Sequence, residues 1–323
     1  MNQDFFENIP EQVLTHLTEI ELSVPSQSCH EAIDELLSRT VLEGGKRLRP
    51  LLTFLFADFF CLDLSKVSVS ARAIEMVHAA SLAHDDVIDE ASVRRGSPSI
   101  NIQASNKKAV LAGDYLLASV IGELTRQGNL RLVREMAWVI EELSTGEWVQ
   151  ADAVVSRKYT SEILNSIAMK KTSSVMSWCA VAPAVLSDSG EEVISLAKEF
   201  GKYLGLAFQL LDDTLDFSED SKKDSLLDLK NGQINSVLFE WLLLNPLMKE
   251  RYENGEDISE LFIDSDIAKA TEIIREVALT HLKKCSEILY KMEGLTKGSG
   301  EHDPSKRVAP LIFILKFLED RKH

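Results

Sequence analysis

The chain has 323 residues, 45% of them hydrophobic, and a formal net charge of −16 at pH 7. That length and apolar fraction allow a large core in one or two domains, and the acidic balance argues against nucleic acid or another polyanion as a partner. No run of about 18 apolar residues occurs, so no membrane span is expected. The N-terminus, Met1-Asn2-Gln3-Asp4-Phe5-Phe6-Glu7, lacks the basic region and apolar core of a signal peptide, and a cytoplasmic location is expected.

In chain order, the first pointed feature is Gly44-Gly45-Lys46-Arg47-Leu48-Arg49-Pro50. It sets three cations beside two glycines at a loop-to-helix junction, where backbone can approach an anion closely. Ile74, Val77, Ser81 and Leu82 then keep helical spacing. That helix runs into Asp85-Asp86-Val87-Ile88-Asp89, with Arg94-Arg95-Gly96 shortly after. Lys171-Thr172 interrupts a run of small and apolar residues. Val193, Leu196, Phe200, Leu204 and Phe208 mark another helix, which ends in Asp212-Asp213-Thr214-Leu215-Asp216, with Lys222 and Lys223 beyond. Pro25, Pro50, Pro98, Pro183, Pro246 and Pro304 fall at expected helix boundaries, and Gly294 to Ser305 is the stretch expected to be least ordered. With 15 Gly and 8 Pro in the chain, turn signals are few, and no alternating β-branched stretch occurs. The reading is all-α, one domain without a linker. Cys29, Cys61, Cys179 and Cys285 form no C-x-x-C and read as buried free thiols. Trp138, Trp148, Trp178 and Trp241 read as core or interface residues.

The two D-D-x-x-D copies carry the chemistry. In each, the first and last Asp are i and i+4 and share a helix face, while the middle one is offset by about 100°. Three carboxylates on a mostly apolar face repel one another and are costly to desolvate; a cation removes both objections. An acidic run is most often a solvated helix face, but two copies, each embedded in apolar sequence, point to metal. Oxygen ligands at this density suit Mg²⁺, completed by water and substrate phosphate. The scattered cations would then converge on small, highly charged ligands, a diphosphate held through metal between two facing helices. No G-x-x-x-x-G-K-[ST] occurs, so a P-loop site is unsupported. His84 reads as a packing or supporting residue, because Mg²⁺ prefers oxygen.

These motifs, together and in this order, resemble the trans-isoprenyl diphosphate synthases, the polyprenyl synthetase family. The resemblance runs from about residue 36 to 318. It includes Gly113-Asp114-Tyr115-Leu116, Gly146-Glu147 with Gln150, and Lys171-Thr172. It implies an all-α, single-domain isoprenoid-synthase-type helical bundle around a central apolar cavity, spanning 1–323. It further implies that Asp85, Asp89 and Asp212 bind Mg²⁺, three ions per site, with Asp86, Asp213 and Asp216 supporting. Arg94, Lys171 and Lys223 would contact the allylic diphosphate. Gly45, Lys46, Arg49, His78 and Arg95 would bind isopentenyl diphosphate. Thr172, Phe208 and Gln209 would line the reacting centre, with Gln150 near the metals. A homodimer is the family's usual state, and a long product would draw the enzyme to membranes.

The implied reaction is repeated head-to-tail condensation of isopentenyl diphosphate with an allylic diphosphate. Two other classes remain as alternatives: a class I terpene cyclase, whose second motif is usually of the N-S-E type, and a noncatalytic partner subunit, in which eroded Asp motifs are expected. The chain departs from the family after the second motif. Lys222 and Leu226 stand where glycines are usual, and Gln233 where a second Lys is usual. In chain length, short-chain members resembling farnesyl diphosphate synthases carry an aromatic residue about 1.4 turns before the first Asp. Here Ala80 and Ser81 stand there, with Val77, Ile74 and Ala73 deeper and Leu116, Leu117 and Val120 expected opposite. A product longer than fifteen carbons is expected, a long polyprenyl chain of the quinone-tail type, with geranylgeranyl (twenty carbons) or farnesyl diphosphate as the alternative.

Overall fold

The computed structural model describes residues 3–22, 31–42, 44–45, 47–217, 232–258, 264–296 and 305–320. Lys46, Lys222, Lys223, Leu226, Pro25, Pro304 and Cys29 lie outside the described residues, as do residues 297–304 of the stretch expected to be least ordered. Among the described residues the protein is all-α apart from one hairpin of two-residue strands. Its helices are α1 (Gln3–Phe6), α2 (Glu11–Glu19), α3 (Glu31–Thr40), α4 (Leu48–Phe59), α5 (Ser68–Ile88), α6 (Ile100–Gln103), α7 (Asn106–Gln127) and α8 (Leu130–Ser156). They continue as α9 (Ser161–Ala168), α10 (Ser174–Leu186), α11 (Glu191–Leu215), α12 (Ser236–Leu244), α13 (Pro246–Glu253), α14 (Asp264–Thr296) and α15 (Ser305–Glu319). A π-helical segment, Met169–Ser173, joins α9 to α10, and β1 (Val93–Arg94) pairs antiparallel with β2 (Ser97–Pro98).

The chain forms two compact units: Met1–Ile140 with Trp178–Ile194 and Glu301–Leu311, and Glu141–Ser177 with Ser195–Gly300 and Ile312–His323. In the first, α5 packs along α4 and α7. Helix α4 is apolar on nearly every side, and Leu51, Leu52, Phe54, Leu55 and Phe56 are all buried, as befits a central helix. Trp178 buries its ring there and donates its indole N–H to the Ser70 carbonyl at 3.0 Å, which satisfies its one polar atom. Helix α7 starts where the Ser105 hydroxyl accepts from the Lys108 amide at 3.2 Å and stops at Gly128, whose φ of 78° ends it in the left-handed region.

In the second unit, α12 packs on α14 around Val237, Leu238, Trp241, Leu242, Ile267 and Ala270. A second contact has its own rule. On α11, Gly201 and Gly205 lie one turn apart and meet Ser177 and Ser173. A Cβ on Gly205 would stand 2.6 Å from Ser173 Oγ and 2.7 Å from its amide nitrogen; one on Gly201 would stand 2.8 Å from the Met176 carbonyl carbon. The two serines donate back to the α11 backbone, Ser173 Oγ to the Lys202 carbonyl at 2.9 Å and Ser177 Oγ to the Lys198 carbonyl at 3.2 Å. Hydroxyls bonded to carbonyls across a glycine seam fix the register of these segments.

Two expectations change. Pro183 lies inside α10 rather than at a boundary, in its last turn; its missing amide forfeits one ladder bond, and the helix ends three residues later. Cys61 is exposed, whereas Cys179 and Cys285 are buried as expected. Of the tryptophans read as core or interface residues, Trp148 lies outside the core, 74% exposed. Gly205→Ala should therefore lower stability by about 1–3 kcal/mol, because the obstructing atoms are backbone and cannot swing away. Gly122, whose added Cβ would meet Arg126 at an ordinary 3.6 Å, is the control. Denaturant unfolding of both variants checks the contrast, with Gly122→Ala neutral or stabilising.

Candidate active site

Both acidic motifs occupy the C-terminal turn of a long helix. Helix α5 ends at Ile88 and α11 at Leu215, so Asp89 and Asp216 each stand just beyond the last helical residue. This is the negative end of the helix dipole, where further carboxylates are disfavoured unless a cation offsets them. The motifs also share an internal arrangement. In the first, Asp86 is fully buried. Its Oδ1 accepts from Arg94 Nη2 at 2.6 Å and Nε at 2.8 Å, and its Oδ2 accepts from the Ile100 amide at 3.4 Å. The hairpin that carries Arg94 turns through Arg95 and Gly96, both at positive φ (52° and 79°), as a type I′ turn requires. Asp85 is half-buried and Asp89 exposed.

The second motif repeats the pattern. Asp213 is buried, its Oδ1 accepting from Gln209 Nε2 and its Oδ2 from the Ser236 amide, each at 2.9 Å. Burial raises its carboxyl above the usual range, against the pull of the Ser236 and Gln209 bonds. Asp212 is half-buried and Asp216 exposed, the latter accepting from Asn235 Nδ2 at 3.3 Å. In each motif the middle carboxylate turns inward as an anchor, and the outer pair stays near solvent. Among the described residues no three His, Cys, Asp or Glu side chains already form a metal cage. Two outer carboxylates per motif suit Mg²⁺, which is commonly held by one or two carboxylates, water and substrate phosphate.

Around the first motif the first unit gathers cations. Gly44, Gly45 and Arg47 all have positive φ (78°, 81° and 46°), which bends the chain sharply into α4. A Cβ on Gly45 would lie 3.1 Å from Arg95 Nη2, so the glycine lets that guanidinium lie against the loop. Arg49 and Arg95 act on both Glu75 and His78, which share a face of α5 at i and i+3. Burial, then Arg49, Arg95 and Arg94, hold the His78 imidazole well below its ordinary value, so it is neutral at pH 7. His84 has the packing role expected of it, with Nε2 3.2 Å from the Val110 carbonyl and 3.5 Å from Asp114. Ala80 and Val77 are fully buried on α5, as are Leu116 and Val120 on α7, and Ser81 is half-buried.

In the second unit, the π-helical segment inserts an extra residue into one turn, a device found often at functional sites. It carries both Lys171 and Thr172. Lys171 pairs with Glu147 and donates to Gln150 Oε1 at 3.0 Å. Thr172 Oγ1 donates to Gln209 Oε1 at 2.7 Å, so Thr172, Gln209, Asp213 and Ser236 form one chain of hydrogen bonds. Phe208, half-buried, precedes Gln209 on α11. Beyond the motif, Gly232 takes a φ of 82°, and its carbonyl accepts from both Tyr159 (3.2 Å) and Tyr252 (2.9 Å). That clamp places half-buried Gln233 and helix-capping Asn235.

Sequence reading had paired the Asp motifs with cations but had missed Glu75 within the arginine cluster and Asn235 and Ser236 as partners of the second motif. Glu75 could have been found from its i, i+3 spacing to His78. The other two depend on where the chain returns after residues 218–231, and nothing local signals that.

The polyprenyl synthetase family model matches residues 30–276. The chain belongs to the polyprenyl synthetase family. It is 34% identical over 278 residues to a decaprenyl-diphosphate synthase of Dictyostelium discoideum (83% of this chain, 60% of that one). It is 30% identical over 316 residues to heptaprenyl diphosphate synthase component 2 of Bacillus subtilis (94% and 87%). A solanesyl diphosphate synthase of Arabidopsis thaliana is 37% identical over 220 residues, 65% of this chain and 52% of that protein. The chain thus spans only about half to three-fifths of some curated relatives. The fold matches the crystal structure of a decaprenyl diphosphate synthase from Rhodobacter capsulatus at TM-score 0.80 and 22% identity, covering 98% of both chains. It matches a geranylgeranyl pyrophosphate synthase from Lactobacillus brevis at TM-score 0.82 and 22% identity, covering 99% and 100%.

The neutral His78 has a consequence for stability. Its folded pKa lies below the unfolded value, so the unfolded chain takes up a proton that the folded one refuses as pH falls below about 6.5. Stability is then lost on acidification, by up to about 1.4 kcal/mol per pH unit from this residue. His78→Gln should lose less stability than wild type between pH 7 and 5 in urea unfolding.

Proposed function

We propose that this polyprenyl synthetase is a Mg²⁺-dependent prenyltransferase joining isopentenyl diphosphate head to tail with an allylic diphosphate, giving an all-trans polyprenyl diphosphate longer than fifteen carbons. The observation that carries the reading is the repeated arrangement of the two acidic motifs, each with a buried, anchored middle carboxylate and an outer pair nearer solvent at a helix C-terminus. Asp85, Asp89 and Asp212 would hold the Mg²⁺, three ions in all, with Asp86, Asp213 and Asp216 supporting. When bound, the metal neutralises the allylic diphosphate and makes it a better leaving group.

The residues do the positioning. Arg94, fixed by Asp86, and Lys171, held by Glu147 and Gln150, supply cations for the departing diphosphate, with Lys223 as a third. Gly45, Lys46, Arg49, His78 and Arg95 bind isopentenyl diphosphate, His78 as a neutral hydrogen-bonding group. Thr172, Gln209 and Phe208 flank the allylic carbon as its bond to oxygen breaks and the alkene attacks. The proton lost afterwards goes to the released diphosphate, so no protein base is needed. Catalysis rests on orientation and on fixed charges around separating charge.

The names of the relatives, solanesyl, decaprenyl and heptaprenyl synthases, support a long product. So does the lack of an aromatic ring at Ala80, Ser81, Val77, Leu116 or Val120. We further propose a cytoplasmic homodimer acting as one domain over 1–323. On α8, exposed Trp148, Ala151 and Val155 recur at helical spacing, an apolar stripe that suits a second copy. The Bacillus relative's name, component 2, favours a second reading, a chain that works with another component. Product formation by the purified chain alone separates the two.

Asp85→Ala should lower turnover by orders of magnitude with the helical content intact, since one lost metal contact removes several kcal/mol of charge stabilisation. Near-normal turnover would refute the assignment. Ala80→Phe should shorten the product to about fifteen carbons, because the ring fills volume that further isoprene units need. Chromatography of the dephosphorylated products reads the result, and an unchanged distribution would place the chain-length wall elsewhere.

A further inference from the structure

Glu75 has no part in the roles assigned above. It is 7% exposed, its Oε2 is shut away from solvent without a hydrogen-bond partner, and it lies among Arg49, Arg95 and Arg47. A buried carboxylate with an unmet oxygen is a cost to the fold. Burial keeps its carboxyl above the usual range even though Arg49, Arg95 and Arg47 pull it down, so the arginines do not fully offset that cost. Asp86 is already committed to Arg94 at 2.6 Å. Glu75 in turn lies within the field of the other three guanidiniums, Arg49, Arg95 and Arg47, which repel one another. Its place on α5 is well chosen for this. It shares a face with His78, and α5 packs directly on α4, which carries Arg49.

We infer that Glu75 is a positioning residue for isopentenyl diphosphate, an internal counter-charge that holds Arg49 and its neighbours together until the diphosphate arrives. The inference rests on the reading that this cluster binds isopentenyl diphosphate. It makes a prediction opposite in sign to the obvious one. A carboxylate merely close to a bound diphosphate repels it, so removing its charge should tighten binding. A carboxylate that gathers the guanidiniums should, on removal, let them splay and weaken binding.

The test is steady-state kinetics and calorimetric binding of isopentenyl diphosphate with full-length wild type, Glu75→Gln, Glu75→Asp and Arg49→Ala. Glu75→Gln should raise KM for isopentenyl diphosphate about tenfold, the loss of one charge-assisted contact, while KM for the allylic substrate stays within about twofold of wild type. Glu75→Asp, which keeps the charge at shorter reach, should show a smaller rise of the same selectivity and carries the test if the Gln variant does not fold. Unchanged or tighter isopentenyl diphosphate binding in a folded Glu75 variant, with Arg49→Ala impaired, would overturn the inference alone. Equal rises in both Michaelis constants would also overturn it, as a general structural effect. Wild-type binding by Arg49→Ala would remove the reading of the cluster and the inference with it.

Discussion

Carboxylates gathered at the C-terminal end of a helix oppose the helix dipole and one another, and two long helices of this protein end that way. Burying the middle carboxylate of each motif under dedicated donors relieves part of the conflict. Asp86 takes a guanidinium and an amide; Asp213 takes a side-chain amide and a backbone amide. What remains is an outer pair nearer solvent, whose mutual repulsion a cation would relieve. Much of the neighbouring architecture serves the anchors: the short hairpin delivers Arg94, and the start of α12 delivers Ser236.

The same economy of charge governs the basic residues. In an acidic chain, a cation held at a fixed place within its unit needs a local counter-charge to keep it there. Arg94 has Asp86, Lys171 has Glu147, and Lys170 has Glu142 at 3.1 Å. Each pair is partly shielded from water, where an ion pair keeps more of its strength than on an open surface. An anion arriving at either unit would meet cations already placed, which reduces the ordering it must impose.

Helical periodicity and proline placement made the helical class legible, because those signals are local. Asp85, Asp89, Asp212 and Asp216 were legible as a set, since i, i+4 spacing fixes a face wherever the helix lies. The direction of Asp86 was not, because its partner comes from a hairpin too short to show an alternating pattern. Nor was the π-helical segment: Met169–Ser173 has ordinary helix-compatible composition, and only the packing of Gly201 and Gly205 against Ser177 and Ser173 accounts for its register. Pro183 was misplaced for a related reason, since a buried helix end can absorb one missing amide that an isolated helix would not.

That π-helical turn has a further consequence. An extra residue in one turn shifts the angular phase of everything that follows by about 100°. Lys171 and Thr172 lie within the shift, and Ser173 and Ser177 after it meet the glycine seam with the phase it sets. Deleting any single residue between Met169 and Ser173 would restore a regular helix and rotate one side of the join against the other. Either the lysine or the serines would then face the wrong way. The segment should therefore accept many substitutions but hardly any change in length, a constraint written in residue count rather than residue identity.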